Sequence, residues 1–406
     1  MERERQALSS RTHIDSCDTR RRRARRATRG GRDGWSVMRI CSIVGARPQF
    51  VKAAIVSRKL RDVGEEVLVH TGQHYDEELS DVFFEELDIP EPEYNLGVES
   101  DTHGRQTAAM IDRLEPIVEA EDPDALLLYG DTNSTLAGAI VGSKRDLVVA
   151  HVEAGLRSDN RSMPEEINRI LTDHAADLCF APSEEAMVNL ASEGVTDGVY
   201  CTGDVMYDAI LEARDRSQRQ STILDELGVE PGEYVLATVH RASNTDDRSN
   251  LAAIVDGLAD APRPVIFPAH PRTVGCLREY GLWDRATEHL EVIDPQGYLD
   301  FVRLLDGAER VATDSGGVQK EAFFLGTRCL TLRAETEWVE TVECGWNRLV
   351  GPNRSRIREE LRENWKPESN PHPYGDGTAG QRIVRLLEDH LQTDEAAPAV
   401  ETASLD

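Results

Sequence analysis

Acidic side chains follow two of the strands that the sequence predicts, and such residues can move protons. Asp131 stands in segment 130–132 (Gly-Asp-Thr), and Glu153 stands in segment 151–157. Neighbouring parallel strands end at one edge of their sheet, so we expect both carboxylates in one cleft. Like charges and partial burial then push their pKa values apart, which suits a general acid and a general base. Glu165, at the next predicted helix start, is a third candidate, although acids after a proline are also ordinary helix-start residues.

A second group of residues is suited to binding phosphate. The clearest segment is 314–321 (Asp-Ser-Gly-Gly-Val-Gln-Lys-Glu), where a strand end leads through two glycines into a helix. Glycines allow close approach to the backbone, and free N–H groups at the helix start can bind a diphosphate. Glu321, about one helical turn further, can accept hydrogen bonds from ribose hydroxyls. A plain tight turn would also account for this segment.

Cations and histidines stand at other predicted strand ends. Arg47 and Lys52 bracket a helix start after the first strand, in a chain that has only five lysines. Two cations at a helix N-terminus suit an anion. His240 and His270 each stand where a strand of the second half gives way to a loop. This position favours a ligand contact over a place in the core.

These residues need a scaffold, and the sequence predicts one from Met38 onward. Short apolar runs alternate with amphipathic segments, which is typical of βα units around a parallel sheet. The predicted fold class is therefore α/β with two Rossmann-like domains. The predicted strands are 39–44, 66–70, 125–129, 147–152, 178–181, 199–202, 234–239, 265–268, 290–293, 310–313 and 328–332, and predicted helices include 50–60, 76–87, 165–175 and 380–391.

Shifts in composition set the domain boundaries. Residues 1–37 hold eleven arginines and five acids with almost no apolar content, and no apolar signal segment follows them. We predict a disordered leader there, or a native chain that starts at Met38. The other predicted parts are an N-terminal domain (38–206), a C-terminal domain (207–375), a closing helix (376–391) and a disordered acidic tail (392–406).

Charge and motif content exclude several classes of protein. The chain has 74 acidic and 46 basic residues and a formal net charge of −28, which repels nucleic acid. High acidity with few lysines predicts a halophile's cytoplasmic enzyme, and no apolar run approaches the roughly 20 residues of a membrane span. The seven cysteines include no C-x-x-C pair, so no zinc site is predicted. Without a G-x-G-x-x-G or P-loop motif, no NAD or other nucleotide cofactor is predicted.

In order from about residue 40 to 350, the motifs resemble those of the non-hydrolysing UDP-N-acetylglucosamine 2-epimerases. The matching segments are 45–52 (G-A-R-P-Q-F-V-K), 71–76 (T-G-Q-H-Y-D), 130–132 (G-D-T), 151–157 (H-V-E-A-G-L-R), 164–169 (P-E-E-I-N-R), 239–241 (V-H-R) and 314–321 (D-S-G-G-V-Q-K-E).

The resemblance implies a GT-B-like fold whose two domains close on a UDP-sugar in the cleft between them, and a homodimer without a cofactor. It implies reversible inversion of C2 to give UDP-N-acetylmannosamine, by loss and re-addition of UDP, in the supply of surface polysaccharide or glycoprotein glycans. Asp131, Glu153 and Glu165 would be the acid/base set, and His240 would support the leaving diphosphate. The implied substrate-binding residues are Arg47, Lys52, Arg169, His270, Gln296, Phe301, Ser315, Gly316, Gly317 and Glu321.

Two departures from the family pattern leave the exact sugar open. The first turn reads Ala-Arg-Pro-Gln where many members have Thr-Arg-Pro-Glu, and Trp338 stands where those members carry a substrate-binding arginine. These features resemble relatives acting on UDP-diacetamido-uronic acids or UDP-N-acetylfucosamine types. The sequence also leaves open a hydrolysing 2-epimerase, a GT-B glycosyltransferase and a non-catalytic UDP-sugar binder. A regulatory sugar-nucleotide site, matched only by Gln73 and His74, stays open as well.

Overall fold

The chain forms two compact units, each built on a parallel β-sheet. The computed structural model describes residues 37–73, 91–145, 147–367 and 372–396. The first unit holds the described residues up to Val205 and from Tyr374 onward, and the second is Met206–Pro373. The predicted α/β class with two Rossmann-like parts is confirmed. The leader up to residue 36 and the helix predicted at 76–87 lie outside the described residues.

Seven parallel strands, within the described residues, make the first sheet in the order β3-β2-β1-β4-β5-β6-β7. Chain order reverses between β1 and β4, and ligands of doubly wound sheets bind at such a switch point. The strands are β1 (Arg39–Val44), β2 (Glu65–His70), β3 (Tyr94–Asn95), β4 (Ala125–Tyr129), β5 (Val148–Val152), β6 (Leu178–Ala181) and β7 (Val199–Cys201).

Helices cover this sheet because alternate strand residues point to opposite faces. On one face Cys41 and Ile43 of β1 pack in a cluster with Leu128 of β4 and with Met110 and Leu114 of a covering helix. The helices are α1 (Arg47–Val63), α2 (His103–Glu121), α3 (Asn133–Lys144), α4 (Pro164–Ala175) and α5 (Glu184–Ser192).

The second sheet repeats this design with six parallel strands among the described residues, in the order β10-β9-β8-β11-β12-β13. Its switch point lies between β8 and β11. Val235 and Ala237 pack on one face, and Leu236 packs on the other. The strands are β8 (Val235–Thr238), β9 (Val265–Pro268), β10 (Glu291–Ile293), β11 (Arg310–Thr313), β12 (Arg328–Thr331) and β13 (Asn347–Leu349).

The helices that follow β7 in the chain include one that begins where the two units divide. They are α6 (Val205–Gln220), α7 (Ile223–Leu227), α8 (Ala242–Thr245), α9 (Arg248–Ala259), α10 (Pro271–Glu279), α11 (Trp283–His289), α12 (Tyr298–Gly307), α13 (Gly316–Leu325), α14 (Val339–Glu343) and α15 (Arg354–Arg362).

The closing helix α16 (Ala379–Ala396) returns to the first unit and packs on α1. A Cβ added to Gly380 would lie 2.9 Å from Ile55 Cγ2, so the two helices are in close contact there. The helix runs past the predicted start of the tail at residue 392, which corrects that prediction. Gln392 Nε2 donates to Glu388 Oε1 at 3.0 Å, one turn back, so an i,i+4 pair carries the helix onward. Residues 397–406 lie outside the described part of the chain.

Candidate active site

Asp131 and Glu153 follow β4 and β5, which are paired neighbours in the first sheet. Both turns use left-handed backbone, with φ of +63° at Gly130 and +73° at Glu153. Residues other than glycine seldom adopt this left-handed backbone conformation, so neighbouring residues must hold Glu153 in it. The Glu153 N–H donates to Phe180 O at 3.1 Å. A Cβ added at Gly130 would lie 3.4 Å from Glu153 Oε2, so the two turns pack tightly.

Glu153 forms a short ion pair with Lys52, which extends from the second turn of α1. Only 9% of the Lys52 side chain and 14% of the Glu153 side chain are exposed. Burial lowers the pKa of Lys52, but the charge of Glu153 and the hydrogen bond with it outweigh burial, so the pKa stands above its ordinary value. Lys52 therefore stays charged and fixes the Glu153 carboxylate.

Asp131 pairs with Arg169 of α4, whose Nη2 lies 2.6 Å from Asp131 Oδ2. Burial raises the pKa of Asp131 by more than Arg169 lowers it, and the negative charge of Glu153 adds to the rise. The backbone of Asp131 is held as well, because Asn168 Nδ2 donates to its carbonyl oxygen at 3.0 Å. The two carboxyl groups thus have different environments, as an acid/base pair requires.

A cavity of about 230 Å³ collects several of the predicted residues of the first unit. Lys52, Asp131 and Glu165 line it, together with Gln73 and His103. It opens at the switch point between β1 and β4, which is where doubly wound parallel sheets bind their ligands.

Glu165 and Glu166 separate clearly at the start of α4. The Glu166 side chain is buried and accepts hydrogen bonds from Ser158 N at 3.0 Å and Asp159 N at 3.1 Å. Glu165 is exposed and lines the cavity. Glu166 therefore fixes a loop, and Glu165 is the acid of this pair that a ligand can meet.

The first turn of this unit is held by Gln49. Its Oε1 accepts from Gly45 N at 2.8 Å and Ala46 N at 3.0 Å, and its Nε2 donates to Tyr129 O at 2.6 Å. A glutamate carboxylate could not donate to that carbonyl. Arg47 is the first residue of α1, and its side chain lies outside the described part of the chain.

Asp314 organises the second unit's switch point, although the sequence analysis gave it no role. It is fully buried after β11 and accepts from the backbone N–H groups of His240 and Arg241 and from Asn244 Nδ2. Its Oδ1 lies 3.3 Å from His240 Nδ1. The signal that could have identified it is an acid at a strand end directly before Ser315.

The helix α13 begins with the predicted phosphate-binding residues. Ser315 caps it, with Oγ accepting from Val318 N at 3.5 Å. Gly316 and Gly317 follow, and the N–H groups of a first helical turn point out of the helix toward a ligand. Burial raises the pKa of Glu321, on the same helix, to about 7. Glu321 can therefore change charge near neutral pH.

The remaining predicted residues of the second unit lie at other strand ends. His270 precedes α10, and its ring centre is 6.1 Å from that of His240. Gln296 and Phe301 follow β10, which β9 and β8 separate from β11 in the sheet. Gln296 Nε2 donates to Asp294 O at 2.6 Å. His270 is thus grouped with His240, whereas Gln296 and Phe301 stand two strands further from Ser315.

In the residues that the structure describes, no group of three or more His, Cys, Asp or Glu side chains is placed to hold a metal ion. No helix in the same residues is long and apolar enough to cross a bilayer.

Two Rossmann-like units with polar residues at their switch points define a GT-B-like α/β protein. The sequence profile of the UDP-N-acetylglucosamine 2-epimerases matches residues 58–388. The chain is 45% identical over 360 residues to the UDP-2,3-diacetamido-2,3-dideoxy-D-glucuronate 2-epimerase of Pseudomonas aeruginosa, covering 86% of this chain and 99% of that one. It is 41% identical over 367 residues to the UDP-N-acetylglucosamine 2-epimerase of Methanocaldococcus jannaschii, with the same two coverages.

A crystal structure of the Methanocaldococcus jannaschii enzyme in complex with UDP-N-acetylglucosamine and UDP has the same fold. Its TM-score is 0.72, with 41% sequence identity, and the match covers 87% of this chain and 100% of that one. The chain therefore belongs to the UDP-N-acetylglucosamine 2-epimerase family.

Proposed function

We propose that the chain catalyses the reversible C2 epimerisation of a UDP-2-acetamido sugar by elimination and re-addition of UDP, with UDP-N-acetylglucosamine as the first candidate substrate. The observation that carries the proposal is the cavity at the first switch point, which Asp131, Glu165 and Lys52 line together. Family membership supports the same reaction. Binding of UDP-N-acetylglucosamine and UDP by the Methanocaldococcus jannaschii relative supports the substrate class.

In the proposed reaction, a carboxylate of the first unit removes the C2 proton. The C–H electron pair forms a C1–C2 double bond, and the C1–O bond breaks with its electrons passing to the β-phosphate of UDP. Re-addition of UDP at C1, with protonation of C2 from the opposite face, gives the epimer. Electrons balance within the substrate, and the protein supplies only proton transfers.

The carboxyl groups of the first unit suit these transfers. Burial raises the pKa of Asp131 above its ordinary value, which favours its protonated form, whereas the Glu153 carboxylate is paired with the Lys52 cation. Glu165 adds a third, exposed carboxylate, which lines the cavity together with Asp131. Two faces of a sugar ring require proton-transfer groups in different positions, and these three residues provide them.

The second unit is proposed to retain UDP between the two half-reactions. The N-terminal turn of α13 and His240 would bind the diphosphate, because N–H groups and an imidazole can both donate to phosphate oxygens. Glu321 would accept from the ribose hydroxyls. Retention matters because lost UDP would leave a free glycal instead of the epimer.

UDP-2,3-diacetamido-2,3-dideoxy-D-glucuronate is the second candidate substrate, and Trp338 favours it. The Trp338 Nε1 donates to Gly316 O at 2.9 Å, and Lys320 Nζ lies 4.1 Å from the ring centre. The indole thus packs on the start of α13, where many members have an arginine. The relative that acts on this sugar is 45% identical to the chain.

Separate incubations with the two UDP-sugars, without NAD or acceptor and at molar salt, test the proposal. Proton NMR should show one of them converted to its C2 epimer, and the Asp131→Asn variant should leave both unchanged. Free sugar plus UDP would instead indicate a hydrolysing enzyme. No conversion of either sugar, with UDP still bound, would indicate a non-catalytic binder.

A further inference from the structure

His151 of β5 is a fully buried histidine that the proposed reaction does not use. Its Nδ1 lies 2.7 Å from Asp173 Oδ1, and its Nε2 lies 2.7 Å from the carbonyl oxygen of Gly130. A carbonyl oxygen only accepts, so Nε2 must carry a proton. A neutral imidazole has one N–H, so a second donated bond at Nδ1 requires the cation.

Asp173 is ionised, which makes Nδ1 a donor too. Its other oxygen accepts from Gly155 N at 3.1 Å and lies 2.8 Å from Arg157 Nη1. Burial raises the pKa of Asp173, but the bonds and charges of His151 and Arg157 outweigh burial and hold the pKa below its ordinary value. The neighbouring Cys179 remains a neutral thiol, because burial raises its pKa to about 12.

Paired charges around this histidine compensate for burying a cation. Arg157 binds Glu193 through two bonds of 2.7 and 2.9 Å, and His174 Nε2 lies 3.2 Å from the same carboxylate. Charges therefore alternate from His151 through Asp173 and Arg157 to Glu193. A buried ion is tolerated when it is paired and hydrogen-bonded in this way.

We propose that His151 is a positioning residue that donates from both ring nitrogens, and that its imidazolium and Asp173 together fix the turns that carry Asp131 and Glu153. The Gly130 peptide is tied to β5 at both ends, since its N–H donates to Val152 O at 3.0 Å and its carbonyl accepts from His151. His151 precedes Glu153 by two residues. One buried imidazolium thus links the two carboxylate turns and sets the distance between them.

Nitrogen-15 NMR of the histidine-labelled full chain tests the protonation state. One of the eleven histidines should show both ring nitrogens protonated at pH 8. This signal should vanish in His151→Gln and persist in His289→Gln, which alters an exposed histidine of the second unit. A singly protonated His151 at pH 8 would overturn the proposal, and this test needs no variant that folds poorly.

Kinetics test the positioning role, which rests on the proposed epimerase activity. In His151→Gln, kcat should fall about 10²-fold, the scale of a small misplacement of catalytic groups, while UDP affinity stays unchanged. The His289→Gln control should match the wild type. An unchanged kcat, or parallel loss of kcat and UDP affinity, would refute positioning. The NMR result stands apart from turnover, so failure of the proposed function remains distinguishable.

Discussion

The two switch points of this protein are held by different kinds of interaction. At the first, ion pairs fix the side chains: Lys52 with Glu153 and Arg169 with Asp131. At the second, backbone N–H groups dominate, because Asp314 gathers those of two residues and α13 begins with glycines.

In the proposed function, this difference separates the proton transfers from the binding of UDP. Ion pairs set the charge and position of proton-transfer groups, whose pKa values must lie within a few units of the working pH. Backbone N–H groups form a binding site that is itself uncharged, and they can still donate hydrogen bonds to a diphosphate. We therefore expect changes at the first switch point to act on kcat, and changes at the second to act on nucleotide affinity.

The largest effect is expected for Asp131→Asn, which removes a proton-transfer group and leaves the second unit unaltered. Turnover should fall about 10³-fold, within the range for general acid–base groups, while UDP affinity measured by calorimetry stays unchanged. Asp112→Asn, at an exposed site on α2, is the matched control. Near-normal turnover of Asp131→Asn would remove this residue from the acid/base set.

Lys52→Met should come next, because it leaves the Glu153 carboxylate buried without its cation. Breaking a buried pair in this way costs about 3 kcal/mol of unfolding free energy, which denaturant titration measures. Turnover should fall as well, since Glu153 then favours the neutral form. Lys144→Met removes an exposed lysine at the end of α3 and should change neither property. Equal stabilities for the two variants would argue against the pair.

Ser315→Ala should weaken UDP binding by about tenfold, the effect of roughly 1.4 kcal/mol, with a smaller change in kcat at saturating substrate. The serine caps α13, so its loss loosens the helix start that binds phosphate. Ser183→Ala is a matched control, because Ser183 caps α5 in the first unit and accepts from Ala186 N at 3.3 Å. A similar loss of UDP affinity in both variants would contradict the division between the units.

The smallest effect concerns Glu321, whose pKa is raised to about 7. Ribose hydroxyls donate best to the ionised carboxylate, so affinity for UDP-N-acetylglucosamine should rise between pH 6 and pH 8. This ligand has no phosphate group that titrates there, and Glu321→Gln should abolish the rise. Since the folded pKa exceeds the unfolded value of about 4.3, the stability that Glu321 contributes is lost as pH rises from about 4.3 to about 7. Glu321→Gln should therefore melt higher than the wild type at pH 8 and similarly at pH 4. A flat wild-type affinity profile would contradict this role.

Much of the fold could be predicted from the sequence because apolar runs indicate parallel strands. The strands at 39–44, 125–129, 178–181, 265–268 and 310–313 were predicted with their observed bounds. In contrast, β3 was missed because its two residues show no periodicity, and β13 was missed because Asn347 and Arg348 are polar and interrupt any apolar run. Each forms only through pairing with a neighbouring strand.

Candidate site residues could be predicted where an acidic side chain directly follows a predicted strand, as at Asp131 and Glu153. Residues whose role depends on tertiary contacts could not be predicted. His151 and Asp173 stand 22 residues apart in sequence, and no local pattern reveals that they pair. Nor does sequence distinguish the exposed Glu165 from the buried Glu166, because both are acids in the first turn of one helix.

The most direct test of the central claim follows both bonds of the proposed reaction at once. A substrate UDP-sugar carrying oxygen-18 at the C1–O bridge is incubated with the enzyme in deuterated water and examined by NMR. We predict deuterium at C2 together with movement of the label to non-bridging positions of the β-phosphate, because UDP leaves C1 and returns while bound. Epimer formed without deuterium at C2, or with the label held at the bridge, would contradict elimination and re-addition.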